Sequence, residues 1–200
     1  GIVVFNTPGA NANAVKELVM AGMLLSARGI VDGMNYVQSL AGIKDSAEMS
    51  PLVEKAKARF AGSEIRGKTL GIVGLGAIGS MVADMALAMG MTVIGFDPLL
   101  SIDAAWRLSN EVGRMENLQS LLARSDYVSL HVPAVDATRH MINDDTLAII
   151  KPGAVLLNFA RDVIVDPAAV LRSLDAGRLG RYVCDFPEPA LLVHPKITAM

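Results

Sequence analysis

The chain has 200 residues, 52% of them hydrophobic and 19% charged, enough apolar material for a large core without disulfide or metal staples. With 18 basic against 20 acidic side chains the net charge is -2 and no basic stripe forms, so nucleic acid and membrane surfaces are not expected partners and small-molecule chemistry is. The single cysteine, Cys184, excludes an internal disulfide framework and zinc-ligand spacing; no metal site is expected, and a reducing, cytoplasmic setting is.

In chain order, Gly1 is an unusual first residue and suggests a piece cut from a longer polypeptide, without a signal peptide. Asn11 and Asn13 before the apolar run from Val15 predict a capped helix reaching about Ile30, apolar nearly all round and therefore buried or packed on a partner. Its most apolar window, Leu18 to Ala27, is too short to span a bilayer. A polar stretch follows, and positions 42–50 read as loop. Pro51 should open a helix (LVEKAKARF) that fades into a turn at 62–67. After Gly67 short β-rich runs alternate with helical ones: TLGIVG, AIGSMVADMALAMG, MTVIGF, ENLQSLLARSD, YVSLHV, NDDTLAII, GAVLLNF, PAAVLRSLDAG, LGRYVC and KITAM. That alternation predicts an α/β fold, a doubly wound parallel sheet with crossover helices. Met81, Met85 and Met89, at i, i+4 and i+8, are expected to face the core.

Gly74, Gly76 and Gly79 form G-x-G-x-x-G between a strand and a helix. The first glycine suits a tight turn, the second the close approach of a pyrophosphate, and the third close packing of helix on strand. Asp97, at the end of the next strand, can accept hydrogen bonds from both ribose hydroxyls of an adenosine and would repel a 2′-phosphate, which favours NAD over NADP.

FNTPGANANAVKEL, FAGSEIRGKTLGIVGLGAIG, SDYVSLHVP, LLNFARDVIVD and DFPEP, in this order, resemble the D-isomer-specific 2-hydroxyacid dehydrogenases across essentially the whole chain. NTPGANANAV and YVCDFP are most like the branch that oxidises D-3-phosphoglycerate. The resemblance implies that residues 1–200 are one Rossmann-type NAD-binding domain, with the two flanking halves of a substrate-binding domain absent. It also implies a homodimer or higher homo-oligomer through the cofactor domain, consistent with the apolar helix after Val15.

The same resemblance gives the site residues. Arg161 matches the catalytic arginine; its planar guanidinium suits a substrate carboxylate and polarises the adjoining carbonyl. Read without the family, Arg161 is equally a surface arginine in an ion pair, for instance with Asp162; the family more often has glycine at that position. Glu188 matches the glutamate that supports a protonated catalytic histidine, although it follows Asp185 more closely than usual; otherwise it is a solvated loop carboxylate. The histidine itself is expected in a Pro-His pair just past Met200. His194, ahead of Pro195, is not expected to replace it, and His140 reads as a surface residue.

His131 and Val132 match cofactor-side contacts, with a core or hinge role for the histidine as the alternative. Asp185 matches the acceptor for the nicotinamide carboxamide, and Phe159, Ala160 and Arg161 the backbone along its riboside. Ala77 and Ile78 complete the phosphate turn. Pro133 and Thr138 are cofactor neighbours, or simply a strand stop and a cap. The implied activity is hydride transfer between NAD and a D-2-hydroxy acid, D-3-phosphoglycerate first, in serine biosynthesis. A hydroxypyruvate, glyoxylate or D-lactate dehydrogenase, or an NADH-sensing co-repressor-like scaffold, are the alternatives.

Overall fold

The computed structural model describes residues 9–200; the first residues of the FNTPGANANAVKEL stretch lie outside them. Seven parallel strands form one sheet: β1 (Thr69–Val73), β2 (Thr92–Phe96), β3 (Gly113–Arg114), β4 (Tyr127–Leu130), β5 (Ala154–Asn158), β6 (Leu179–Cys184) and β7 (Ile197–Ala199). Their spatial order is β3-β2-β1-β4-β5-β6-β7, so the winding reverses between β1 and β4. The central strands are apolar runs because both faces are covered; every residue of β4 is buried, Ser129 included. Each fully buried Val, Leu or Ile contributes about 1.5–3 kcal/mol.

Helices α1 (Ala12–Ala27) and α4 (Ala77–Ala88) cover one face and pack on each other. Helices α6 (Leu118–Arg124), α7 (Asp144–Ile149) and α8 (Pro167–Asp175) cover the other; α5 (Ile102–Ala105) is one short turn after β2. The crossovers start where side chains cap them. Asn117 accepts from the Ser120 N–H (2.8 Å), Asn143 from that of Thr146, and Asp166, ahead of Pro167, from that of Ala168 (2.9 Å).

The amino-terminal third departs from the sequence reading. The first helix ends at Ala27 rather than Ile30, and the polar stretch beyond it is a second helix, α2 (Ile30–Ser39). Helix α3 runs Ser46–Phe60 and so absorbs most of the expected 42–50 loop, with Pro51 inside it rather than at its start. Asp45 explains the earlier beginning: its carboxylate accepts the Ala47 N–H (2.9 Å), and Glu48 in the first turn suits the positive end of the helix. The missing Pro51 N–H then costs one bond within a capped helix.

Two further expectations concern helix faces. On α4 the fully buried stripe is Gly79, Val82, Ala83 and Ala86, and Met85 and Met89 pack half-buried against the same core as expected, with Met81 also half-buried. Small side chains win there because α1 packs closely on α4. Helix α1 is apolar because it is buried on its own chain, against α4, β5 and β6, which is the first of the two alternatives its sequence offered. The exposed apolar face belongs to α2, where Ile30, Met34 and Val37 share one side at i, i+4 and i+7 and are 44%, 57% and 47% exposed. No helix among the described residues is long and apolar enough to cross a membrane.

The strands end flush. Phe96, Val73, Leu130, Asn158, Cys184 and Ala199 are partners in one continuous row from β2 to β7. A register shift does occur at the opposite edge, where Ala154 faces Leu179 but Val155 faces Arg181, leaving Gly180 as the extra residue. At that edge Asp126 accepts from the Thr69 N–H (2.9 Å) and from Lys151 Nζ (2.7 Å). Burial pushes its carboxyl up, but the lysine and the amide outweigh this and hold it below the usual range.

Candidate functional site

Because the strand ends are in register, the residues directly after them form a line along the carboxyl edge: Asp97 after β2, Gly74 after β1, His131 after β4, Phe159 after β5 and Asp185 after β6. Four interstrand steps of about 4.8 Å make it ~19 Å long. The line straddles the winding reversal, where open parallel sheets take their ligands. Every candidate site residue lies on it or on the turn that continues from it.

The β1–α4 turn is backbone-built. Gly74 has φ +92, and a Cβ there would come within 2.7 Å of the His131 carbonyl oxygen; a Cβ on Gly79 would lie 2.0 Å from the Gly74 oxygen. At Gly76 a Cβ meets nothing within 4 Å among the described residues, so a ligand can approach the backbone of this turn. Among the described residues no side chain caps α4, and no acidic residue sits in its first turn, so the positive helix end suits an anion. Ala77 and Ile78 form that first turn, Ala77 exposed and Ile78 packed against the core. These features fit a dinucleotide pyrophosphate.

Asp97 is fixed by two backbone donors, the Leu75 N–H on Oδ2 and the Leu99 N–H on Oδ1, each at 2.9 Å. One bond per oxygen leaves lone pairs for a pair of ribose hydroxyls. Beside it opens a cleft of ≈ 950 Å³ between the β2 and β3 tips and α5, lined in part by Leu100, Trp106 and Arg114. This cleft touches the site only at Leu75 and Gly95 to Asp97, so it serves one end of the line. Trp106, the single tryptophan, is 84% exposed on its rim.

His131 donates its backbone N–H to the Val73 carbonyl (2.7 Å), and its ring Nε2 lies 2.8 Å from Ser129 Oγ. Although the residue keeps some exposed surface, burial of the ring pushes the imidazole down to about 4, so it is neutral at pH 7. It offers the site a hydrogen-bonding group and no charge. Val132 is half-buried beside it, and Pro133 is exposed at the start of the following loop. Thr138 is buried and its hydroxyl is engaged inside that loop, with the Pro133 and Val135 carbonyls and the Val135 N–H, so its visible work is to hold the loop.

Arg161 is exposed on the turn after β5. Its Nη1 donates to the Ala160 carbonyl (2.6 Å) and its guanidinium lies over the Phe186 ring, 5.4 Å from the centroid. Asp162 is next to it, yet no ion pair among the described residues takes up the Arg161 guanidinium. Phe186, Glu188 and Asp162 line one small crevice, which brings Glu188 to the Arg161 side of the edge. Glu188 itself is exposed and begins the short 3-10 turn Pro189–Leu191. Asp185 is half-buried, and its N–H reaches the Asn158 carbonyl (3.2 Å). His194 is held in the β6–β7 connection, with Nδ1 accepting from the Lys196 N–H and Nε2 3.4 Å from Asp175. His140 is on the surface.

Sequence reasoning passed over Phe186, Ser129 and Asn158. Phe186 was visible as an aromatic two residues before Glu188, but its stacking on Arg161 is a tertiary contact. Asn158 had a signal: an amide closing a strand otherwise apolar must be buried and therefore must find partners.

Residues 20–198 match the family model for the NAD binding domain of D-isomer specific 2-hydroxyacid dehydrogenases. The chain is 35% identical over 199 residues to D-3-phosphoglycerate dehydrogenase of Methanocaldococcus jannaschii, covering 99% of the chain and 35% of that protein. It is 37% identical over 177 residues to glyoxylate reductase of Thermococcus litoralis, covering 88% of the chain and 51% of that protein. Among solved structures, D-lactate dehydrogenase from Aquifex aeolicus complexed with NAD and lactic acid superposes with TM-score 0.79 at 27% identity, over 100% of the chain and 62% of that one. The chain thus spans between a third and about two thirds of these relatives.

Proposed function

Because the chain belongs to the D-isomer-specific 2-hydroxyacid dehydrogenases and forms their NAD-binding domain, we propose that it is the cofactor half of an oxidoreductase acting on a D-2-hydroxy acid, with D-3-phosphoglycerate, giving 3-phosphohydroxypyruvate in serine biosynthesis, as the substrate. The observation that carries this reading is the flush strand edge, which sets the glycine turn and Asp97 at one end and Arg161 at the other. The 35% identity to a D-3-phosphoglycerate dehydrogenase over 99% of the chain supports the substrate. The comparable identity to a glyoxylate reductase supports a second reading, a smaller 2-oxo acid.

Bound NAD supplies the hydride acceptor. The chain's own residues hold and orient. Gly74, Gly76 and Gly79 with the first turn of α4 receive the pyrophosphate, and Asp97 takes the adenosine ribose. A 2′-phosphate would face the Asp97 carboxylate, which selects against NADP. His131, Val132, Pro133 and Thr138 wall the middle of the site, and Phe159, Ala160 and Asp185 flank its reactive end. The Arg161 guanidinium grips the substrate carboxylate with two parallel hydrogen bonds and polarises the neighbouring carbonyl oxygen. Glu188 stands to support the imidazolium of a histidine that, when neutral, takes up the hydroxyl proton in oxidation and, when protonated, returns it in reduction.

The relatives are longer than this chain, and we assign the rest of the substrate site, including that histidine, to a substrate-binding domain on a longer polypeptide. The exposed α2 face fits a second copy of the chain, giving a homodimer. Light scattering should find it, and Met34→Lys should dissolve it.

The test has two arms. NADH added to the chain should quench Trp106 emission, with NADPH far weaker; no response to either would overturn the cofactor reading. A panel of 3-phosphohydroxypyruvate, hydroxypyruvate, glyoxylate and pyruvate on the full-length protein should show the highest kcat/KM for the phosphorylated acid. A preference for glyoxylate would move the assignment to the second reading.

A further inference from the structure

We propose that Asn158 is a positioning residue for Arg161, holding the turn that presents the guanidinium; this rests on the reading of Arg161 as the substrate-binding cation. Asn158 closes β5 and is only 1% exposed, so all of its polar valence must be met inside the protein. Its side chain spends that valence on the Arg161 turn. Oδ1 accepts from the Ala160 N–H (3.2 Å) and Nδ2 donates to the Arg161 carbonyl (2.9 Å), so one amide clasps the chain on either side of Arg161 Cα. The backbone carbonyl of Asn158 accepts the Asp185 N–H (3.2 Å), which ties the same point to the tip of β6.

The clasp is anchored from behind. Nδ2 also donates to the Tyr182 hydroxyl (3.3 Å) on β6; burial pushes that phenol up, so it remains a neutral acceptor. Asn158 therefore has two distinguishable jobs: its main chain continues the sheet, and its amide fixes where the exposed arginine leaves it. Aspartate could not reproduce the clasp, because an ionised carboxylate lacks the N–H that Nδ2 gives the Arg161 carbonyl, which otherwise keeps only the longer bond from the Ile164 N–H (3.4 Å). Phe186 steers the far end of the arginine, but among the described residues no other side chain hydrogen-bonds the turn on both sides of Arg161.

The experiment is a double-mutant cycle in the full-length protein, reading kcat and KM for the oxo acid and Kd for NADH separately. Arg161→Ala should lower kcat/KM by about 10²- to 10³-fold. Asn158→Ala and Asn158→Ser, the second keeping a polar group in the pocket should the first fail to fold, should each lower it by about 10- to 100-fold, mainly through a raised KM. NADH affinity should stay within about twofold, and Asn158→Ala added to Arg161→Ala should change kcat/KM by no more than about twofold, because the residue acts through the arginine. The inference is overturned if either Asn158 variant turns over normally, if NADH binding falls in step with kcat/KM, or if the two substitutions multiply. Normal turnover by Arg161→Ala would sink the reading of the arginine itself, a separate failure visible in that single variant.

Discussion

The two ends of the carboxyl edge are built by different means. At the β1–β2 end the contacts are main chain: glycines at the turn, an uncapped helix terminus, and one carboxylate held by two N–H groups. At the β5–β6 end they are side chains on turns, with an exposed arginine over an aromatic ring and a buried amide beneath. A main-chain cradle is defined by local sequence and survives in isolation. A side-chain site depends on packing behind it and on whatever closes over it, which is why the first end is the more self-sufficient.

Substitutions at the cradle should sharpen this contrast. Gly79→Ala, whose Cβ would lie 2.0 Å from the Gly74 oxygen, should have the largest effect, lowering stability by about 3 kcal/mol in urea melts and removing NADH binding with it. Gly76→Val meets open space, so the melt should be unchanged while NADH affinity falls by about 100-fold, as measured by Trp106 quenching. Should Gly76→Val bind normally, the cradle is not where the phosphates sit. Asp97→Asn should weaken NADH by about tenfold and narrow the gap to NADPH, without altering KM for the oxo acid in the full-length protein.

The remaining effect is that of pH. The His131 ring is at about 4 in the folded chain and near 6.5 when unfolded, so the unfolded state takes the proton first and stability falls as pH drops through that window. A second loss should follow below the usual carboxylate range, as Asp126 gives up its bonds to Thr69 and Lys151. His131→Gln should flatten the first limb of a Tm-against-pH curve and leave the second.

Much of the edge was legible in the sequence because its parts are local. The glycine spacing, Asp97 and the apolar runs need only their neighbours to declare a strand, a turn and a helix start. The amino-terminal third was less legible. A capping Asp45 five residues after the helical stretch around Tyr36 to Leu40 outweighed the helix-start signal of Pro51, and α2 is polar enough to pass for loop. On α4 the period of the methionines placed Met85 and Met89 against the core, while close packing of α1 gave the fully buried positions to the small residues between them. Asn158 was missed for a third reason: its partners, Tyr182 among them, lie on another strand, and no single-strand pattern reports them.

Flush strand ends also decide where the chain can change length. One residue more or less inside β1, β2, β4 or β5 would turn the following side chain to the opposite face and shift its tip by about 3.3 Å, out of line with its neighbours. The extra residue that this sheet does carry, Gly180, sits at the amino-terminal edge, where its lack of a Cβ lets it lie against the Gly153 carbonyl. Insertions and deletions among homologous chains are therefore expected to collect at that edge, leaving the spacing between the turns of the carboxyl edge unaltered.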